Sequence, residues 1–117
     1  MTIGWKLTRD CRAALLADLP PTYPRVIADH VTLAVNGKDA PTPVETAVII
    51  GRSDDGKGVE AMVVALNSST ARPDGKVWHV TWSLADGRTA RESNDVIAAL
   101  GWTTIAERPL VLEPAVW

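Results

Sequence analysis

Hydrophobic and polar residues along this chain alternate with a period of two in some stretches and about 3.6 in others, and that rhythm predicts its elements. Ile3 to Leu7 reads as a short strand. Thr8 then suits an N-cap, and Leu15, Leu16 and Leu19 form the apolar stripe of a helix that Pro20 and Pro21 stop. From Val26 to Val35 the period is two: Ile27, Val31, Leu33 and Val35 fall on one face, and Ala28, His30, Thr32 and Ala34 on the other. Thr46 to Ile50 and Val59 to Leu66 are apolar and β-prone, and the turn signature Ser53-Asp54-Asp55-Gly56-Lys57-Gly58 between them predicts a hairpin. A polar loop from Asn67 to Lys76 leads into a strand with Trp78, Val80, Trp82 and Leu84 on one face and Val77, His79, Thr81, Ser83 and Ala85 on the other. Ser93 or Asn94 suits the N-cap of a second helix through Val96, Ile97 and Leu100, with Gly101 as its stop. Trp102 to Ile105 and Leu110 to Leu112 are the last strand candidates.

The two long alternating strands carry the only histidines, in matching contexts: His30-Val31-Thr32-Leu33 and His79-Val80-Thr81-Trp82. Given the Val and Thr content of the chain, Val-Thr follows a histidine by chance about one time in a hundred. In each copy the His and the Thr share a face opposite the bulky apolar residues, the inverse of what a buried structural histidine shows. Gly4-Trp5 and Gly101-Trp102 form a fainter second echo.

Two imidazoles on one cleft are chemically useful. With an unperturbed pKa of about 6.5, His exists in both protonation states near neutrality, so one ring can take a proton while the other gives one. Two hydroxyls at a fixed offset could donate to the oxygens of a phosphate held between them. The strands also have a plainer reading, since Thr is a good strand former on any face.

These residues resemble the two-histidine (2H) phosphoesterases, a family named for paired His-x-Thr-hydrophobic motifs, and match that pattern at every defined position. The order of strand, helix, first motif, hairpin, second motif, helix and strand is similar to the family across the whole chain. The resemblance implies an α+β fold of two-lobed, pseudo-symmetric antiparallel sheets with flanking helices. The short chain looks most like the compact branch associated with nucleic-acid repair and conflict systems, the Swiss Army Knife phosphoesterases. Members generally open 2',3'-cyclic or related phosphodiesters, or join RNA ends, without a metal. The implied activity is therefore a metal-independent cyclic phosphodiesterase, with His30, His79, Thr32 and Thr81 as the catalytic set.

Composition narrows the setting. At 117 residues the chain is expected to form a single domain over 1–117. No apolar run approaches the length of a transmembrane helix, and the N-terminus lacks the basic-then-apolar pattern of a secretory signal, so a cytoplasmic location and no membrane partner are expected. Cys11 is alone and offers no disulfide or zinc set; no metal or cofactor is expected. A formal charge of -2 opposes a broad basic face, hence no long-duplex nucleic acid, but a nucleotide or a single RNA end needs only one or two cations. Lys6, Arg25, Arg72 and Lys76 are candidates. Arg72 is preferred because its loop enters the His79 strand and a guanidinium grips phosphate bidentately.

Ser83 is a further candidate donor. Tyr23 either stacks on a base or pins its loop to the core. Three classes of function stay open: an enzyme acting on 2',3'-cyclic phosphate RNA ends or small cyclic nucleotides, with a 2'-5' RNA ligase as its mechanistic neighbour; a module that binds nucleotide or RNA ends without turnover; and an interaction domain with an idle site. The sequence leaves the oligomeric state open.

Overall fold

The computed structural model describes residues 1–117, and its strands sort into two antiparallel sheets. In the three-stranded sheet β1 (Ile3–Leu7) lies between β3 (His30–Ala34) and β8 (Leu112–Val116). The five-stranded sheet runs in the order β2 (Arg25–Val26), β6 (His79–Leu84), β5 (Val59–Leu66), β4 (Ala47–Asp54) and β7 (Thr103–Pro109). Helix α1 (Arg9–Asp18) follows β1, and helix α2 (Glu92–Leu100) follows β6. The α+β expectation holds at this level. No helix is long and apolar enough to cross a membrane.

Most of the bulky residues predicted by alternation meet in one core, but Ile27 and Leu84 pack instead with Val59 and Val96 in a smaller cluster, and Val35 is exposed. Trp5 and Leu7 of β1, Val31 of β3, Met62 and Val64 of β5, and Val80 and Trp82 of β6 belong to a single cluster that draws on both sheets, and α1 adds Leu15 to it. Each fully buried side chain of this kind contributes roughly 1.5–3 kcal/mol. The indole N–H groups are satisfied, Trp5 donating to the Thr42 carbonyl at 2.9 Å and Trp82 to the Leu19 carbonyl at 2.9 Å. Helix α1 starts as predicted, with the Thr8 hydroxyl accepting from the Cys11 amide at 3.3 Å. Helix α2 covers the other face of the five-stranded sheet, where Ile97 packs on Ala61 and Val63.

Two expectations are corrected. The segment from Val26 to Val35 is not one strand: β2 lies on the edge of the five-stranded sheet, and β3 belongs to the other sheet. Ala28, at φ 42° and fully buried, makes the break. A left-handed residue other than glycine costs about 1–2 kcal/mol, and here that kink carries the chain from one sheet to the other. Neither Ser93 nor Asn94 caps α2. The helix begins at Glu92 after Arg91, and Ser93 is buried inside its first turn. Gly101 ends it as expected, at φ 65°.

Candidate active site

The Ala28 kink is what brings the histidine motifs together. The Ile27 and Ala28 amides still donate to the Trp82 and Thr81 carbonyls of β6, at 3.0 and 2.9 Å, while His30, two residues on, pairs with Lys6 of β1. The first motif therefore starts beside the second, although each lies in its own sheet. In the three-stranded sheet, Thr32 pairs with Gly4, and Gly4 with Ala115. Gly4 is required where β3 bulges against β1, since a Cβ there would meet the Val31 carbonyl oxygen at 2.1 Å.

A cavity of about 490 Å³ opens on the histidine faces, lined by His30, Thr32, Arg72, His79, Thr81 and Trp117 among others. That volume lies within the range of small-ligand sites. Both predicted His-x-Thr pairs line one cleft, as the shared faces implied. The loop ahead of β6 overhangs it through Arg72, Asp74 and Lys76, and beside that loop stand Arg91, which precedes α2, and Asn94 and Asp95 of α2.

The two histidines are held differently. His79 is 9% exposed, and its Nδ1 lies 2.9 Å from the Val77 carbonyl oxygen. A carbonyl only accepts, so Nδ1 carries the proton and Nε2 is the nitrogen left for the cavity. Burial is the largest influence on this ring. Together with positive charge at Arg72 and at His30, it outweighs the opposing bond to Val77 and the charge of Asp74, and pushes the imidazole below its ordinary pKa. His30 is half-buried, with Nδ1 3.1 Å from Asp29 Oδ2, and its ring centroid is 4.7 Å from that of Trp117. Burial acts to raise the Asp29 carboxyl. Hydrogen bonds from His30 and Arg9 outweigh it and hold the group below the usual carboxylate range, so a negative charge stands behind His30.

The threonines also differ. The Thr81 hydroxyl donates to the Ala90 carbonyl at 3.2 Å and shares a 2.9 Å bond with Ser93 Oγ, so it ties β6 to the start of α2. Thr32 Oγ1 has no protein partner and is the hydroxyl available to a ligand. Arg72 is in the cleft as expected, but its fork is filled. Nε and Nη2 each donate to Asp74 at 2.9 Å, and Nη1 donates to the Thr32 carbonyl at 3.3 Å. Its bidentate grip holds the loop, keeping Asp74 ionised with a pKa lowered to about 2, rather than facing a phosphate.

Four of the candidate binding residues lie elsewhere, among them Arg25, whose Nη1 donates to the Arg88 carbonyl at 2.8 Å. Ser83 is fully buried, donates to Glu60 Oε1 at 2.7 Å and accepts from the Tyr23 amide at 3.1 Å. Tyr23 donates its hydroxyl to Asp54 at 2.5 Å and pins its loop, the second of its two readings. The Tyr23 amide and Thr22 close that end of the face over Ser83 and Glu60, which is why matching strand parity with Thr81 did not put Ser83 in the cleft. Lys6 is turned toward Asp29, 4.0 Å away, and the Trp117 ring, 5.4 Å away.

Sequence reasoning missed Asp29, Trp117, Arg91 and Asn94. Asp29 had a local signal, a carboxylate directly before the motif histidine. Trp117 had none, because only the pairing of Trp117 with Thr2 swings its strand beside β1. No three His, Cys, Asp or Glu side chains are grouped so as to hold a metal ion. The chain matches no protein-family model, no curated protein and no solved structure.

Proposed function

We propose that the protein is a cyclic phosphodiesterase of the two-histidine type, opening 2',3'-cyclic phosphate ends of RNA or small cyclic nucleotides by paired acid and base catalysis. The observation that carries this reading is the asymmetric histidine pair on one cavity: His79 neutral against a carbonyl, His30 backed by an ionised carboxylate. In the proposed step His79 Nε2 accepts a proton from water as the water oxygen bonds to phosphorus. The bond from phosphorus to one of the two ring ribose oxygens breaks, and His30 Nε2 gives its proton to that oxygen. The product is a ribose phosphomonoester. Each transfer supplies typically 10² to 10⁴ in rate. Thr32 donates to a non-bridging oxygen as negative charge develops.

The unequal sheets of three and five strands are read as the two lobes of the family's pseudo-symmetric fold, each contributing one motif strand and each followed or preceded by a helix. The reaction needs no cofactor from the protein's own residues as written, and its setting is proposed to be the cytoplasm.

The test is turnover of a panel of 2',3'-cyclic mononucleotides, cyclic oligonucleotides and 2'-5' adenylates, with chelator present, by the parent protein and by His30→Ala and His79→Ala. Cleavage lost in both variants supports the reading. One observation favours a module that binds without turnover: Arg72 and Thr81, two of the expected phosphate partners, are committed to protein groups. Tight binding with no cleavage of any member would establish that alternative.

A further inference from the structure

The cavity walls are not alike. On the side of the three-stranded sheet, Trp117 supplies the one indole. On the α2 side the charged residues are Arg72, Asp74, Lys76, Arg91 and Asp95. Arg72 and Asp74 neutralise each other, whereas Lys76 and Arg91 have no ion-pair partner. Beyond Lys76 and Asn94, which it shares with the main cavity, a second groove of about 170 Å³ continues between Gly75–Val77 and the Ile97–Ala98 side of α2. Its wall is mostly apolar.

A cyclic mononucleotide uses only part of this. It has one phosphate, which the histidines take, and one base, which Trp117 can cover. Nothing in it reaches the unpaired cations or the groove. We infer that the preferred substrate is an RNA end at least two nucleotides long: terminal base against Trp117, bridging 5'-phosphate at Lys76 and Arg91, and the preceding base in the groove beside Ile97 and Ala98. The inference rests on the phosphodiesterase reading and specifies its substrate. The chemistry of each part fits its wall. A phosphodiester needs a cation, a base has an apolar face to stack or bury, and the two features are contiguous through Lys76. An unlinked anion and an unlinked apolar molecule would not account for their adjacency.

The experiment compares a 2',3'-cyclic mononucleotide with a dinucleotide ending in the same cyclic phosphate. The dinucleotide is expected to show kcat/KM higher by on the order of tenfold or more, given what one buried base or one phosphate contact is worth. Ala98→Trp, which fills the groove from an exposed helix position, is expected to reduce the dinucleotide to the level of the mononucleotide and leave the mononucleotide unchanged, and Lys76→Ala to lower kcat/KM for the dinucleotide by a larger factor than for the mononucleotide. Trp117→Ala is expected to raise KM for both. Equal kcat/KM for the two substrates in the parent protein overturns the inference while leaving the enzymatic reading intact. If neither is cleaved, the enzymatic reading falls, and titration of 3'-phosphorylated mono- and dinucleotides decides the length preference by itself: equal Kd values overturn it.

Discussion

Replacing each motif threonine by valine separates two residues that are indistinguishable in the sequence. Thr81→Val removes a hydroxyl whose partners, the Ala90 carbonyl and Ser93 Oγ, stay in place, and Ser93 is fully buried. Leaving buried polar groups unpaired costs about 1–3 kcal/mol. With about 2.1 cal/mol/K of unfolding entropy per residue over 117 residues, each kcal/mol moves Tm by about 4 °C, so a fall of about 4–12 °C is expected. Thr32 has no such partners. Thr32→Val is expected to stay within about 0.5 kcal/mol of the parent in stability but to lose about 10²-fold in kcat on a cyclic phosphodiester, the usual cost of one donor to a developing oxyanion. Calorimetry gives Tm, and steady-state kinetics gives kcat. A cycle with Ser93→Ala should show coupling of at least about 0.5 kcal/mol for Thr81 and none for Thr32. A Thr81→Val protein melting with the parent, or a Thr32→Val protein melting as low as Thr81→Val should, would refute the division of roles.

Three further outcomes are expected. His79 has a folded pKa below its unfolded value of about 6.5, so as pH falls through that value the unfolded chain binds the proton first and stability drops; His79→Gln should flatten the Tm-against-pH curve there, and an unchanged slope would count against the burial argument. Ser83→Ala leaves Glu60 and the Tyr23 amide each short of a partner, and should lower Tm by about 4–12 °C while KM for a cyclic nucleotide stays unchanged. Arg72→Lys cannot fill the Asp74 fork; because Asp74 is half-exposed the loss is held to about 1 kcal/mol, measured by urea unfolding, and a fully stable Arg72→Lys protein would show the fork to be dispensable.

Much of the site's chemistry was legible because strand parity is a local property. Alternation alone puts Trp78 and Trp82 on the bulky apolar face of their strand, and both are buried in the core. The same alternation set His30, Thr32, His79 and Thr81 on the polar faces, and all four line the cavity, but the β6 face is not open as expected: His79 and Thr81 are buried where the start of α2 packs over it. Parity does not say where along a face the cavity ends, so Ser83 shares a face with Thr81 and is nonetheless capped by the Thr22–Tyr23 loop and Glu60. Nor does local pattern reveal a kink at a residue such as Ala28, which has no glycine or proline signal and is held at φ 42° by the sheets on either side and by Arg12 of α1, which donates to the Ile27 and Ala28 carbonyls.

By itself the sequence determined which side chains could do acid–base work and which way each pointed from its strand, since period-two geometry needs only neighbours in the chain. Tertiary structure alone decided that the two motifs meet, that Asp29 and Val77 give their histidines opposite surroundings, and that one threonine braces α2 while the other stays free. Those outcomes depend on contacts between residues as far apart as Thr2 and Trp117, and on burial, which no single strand can set.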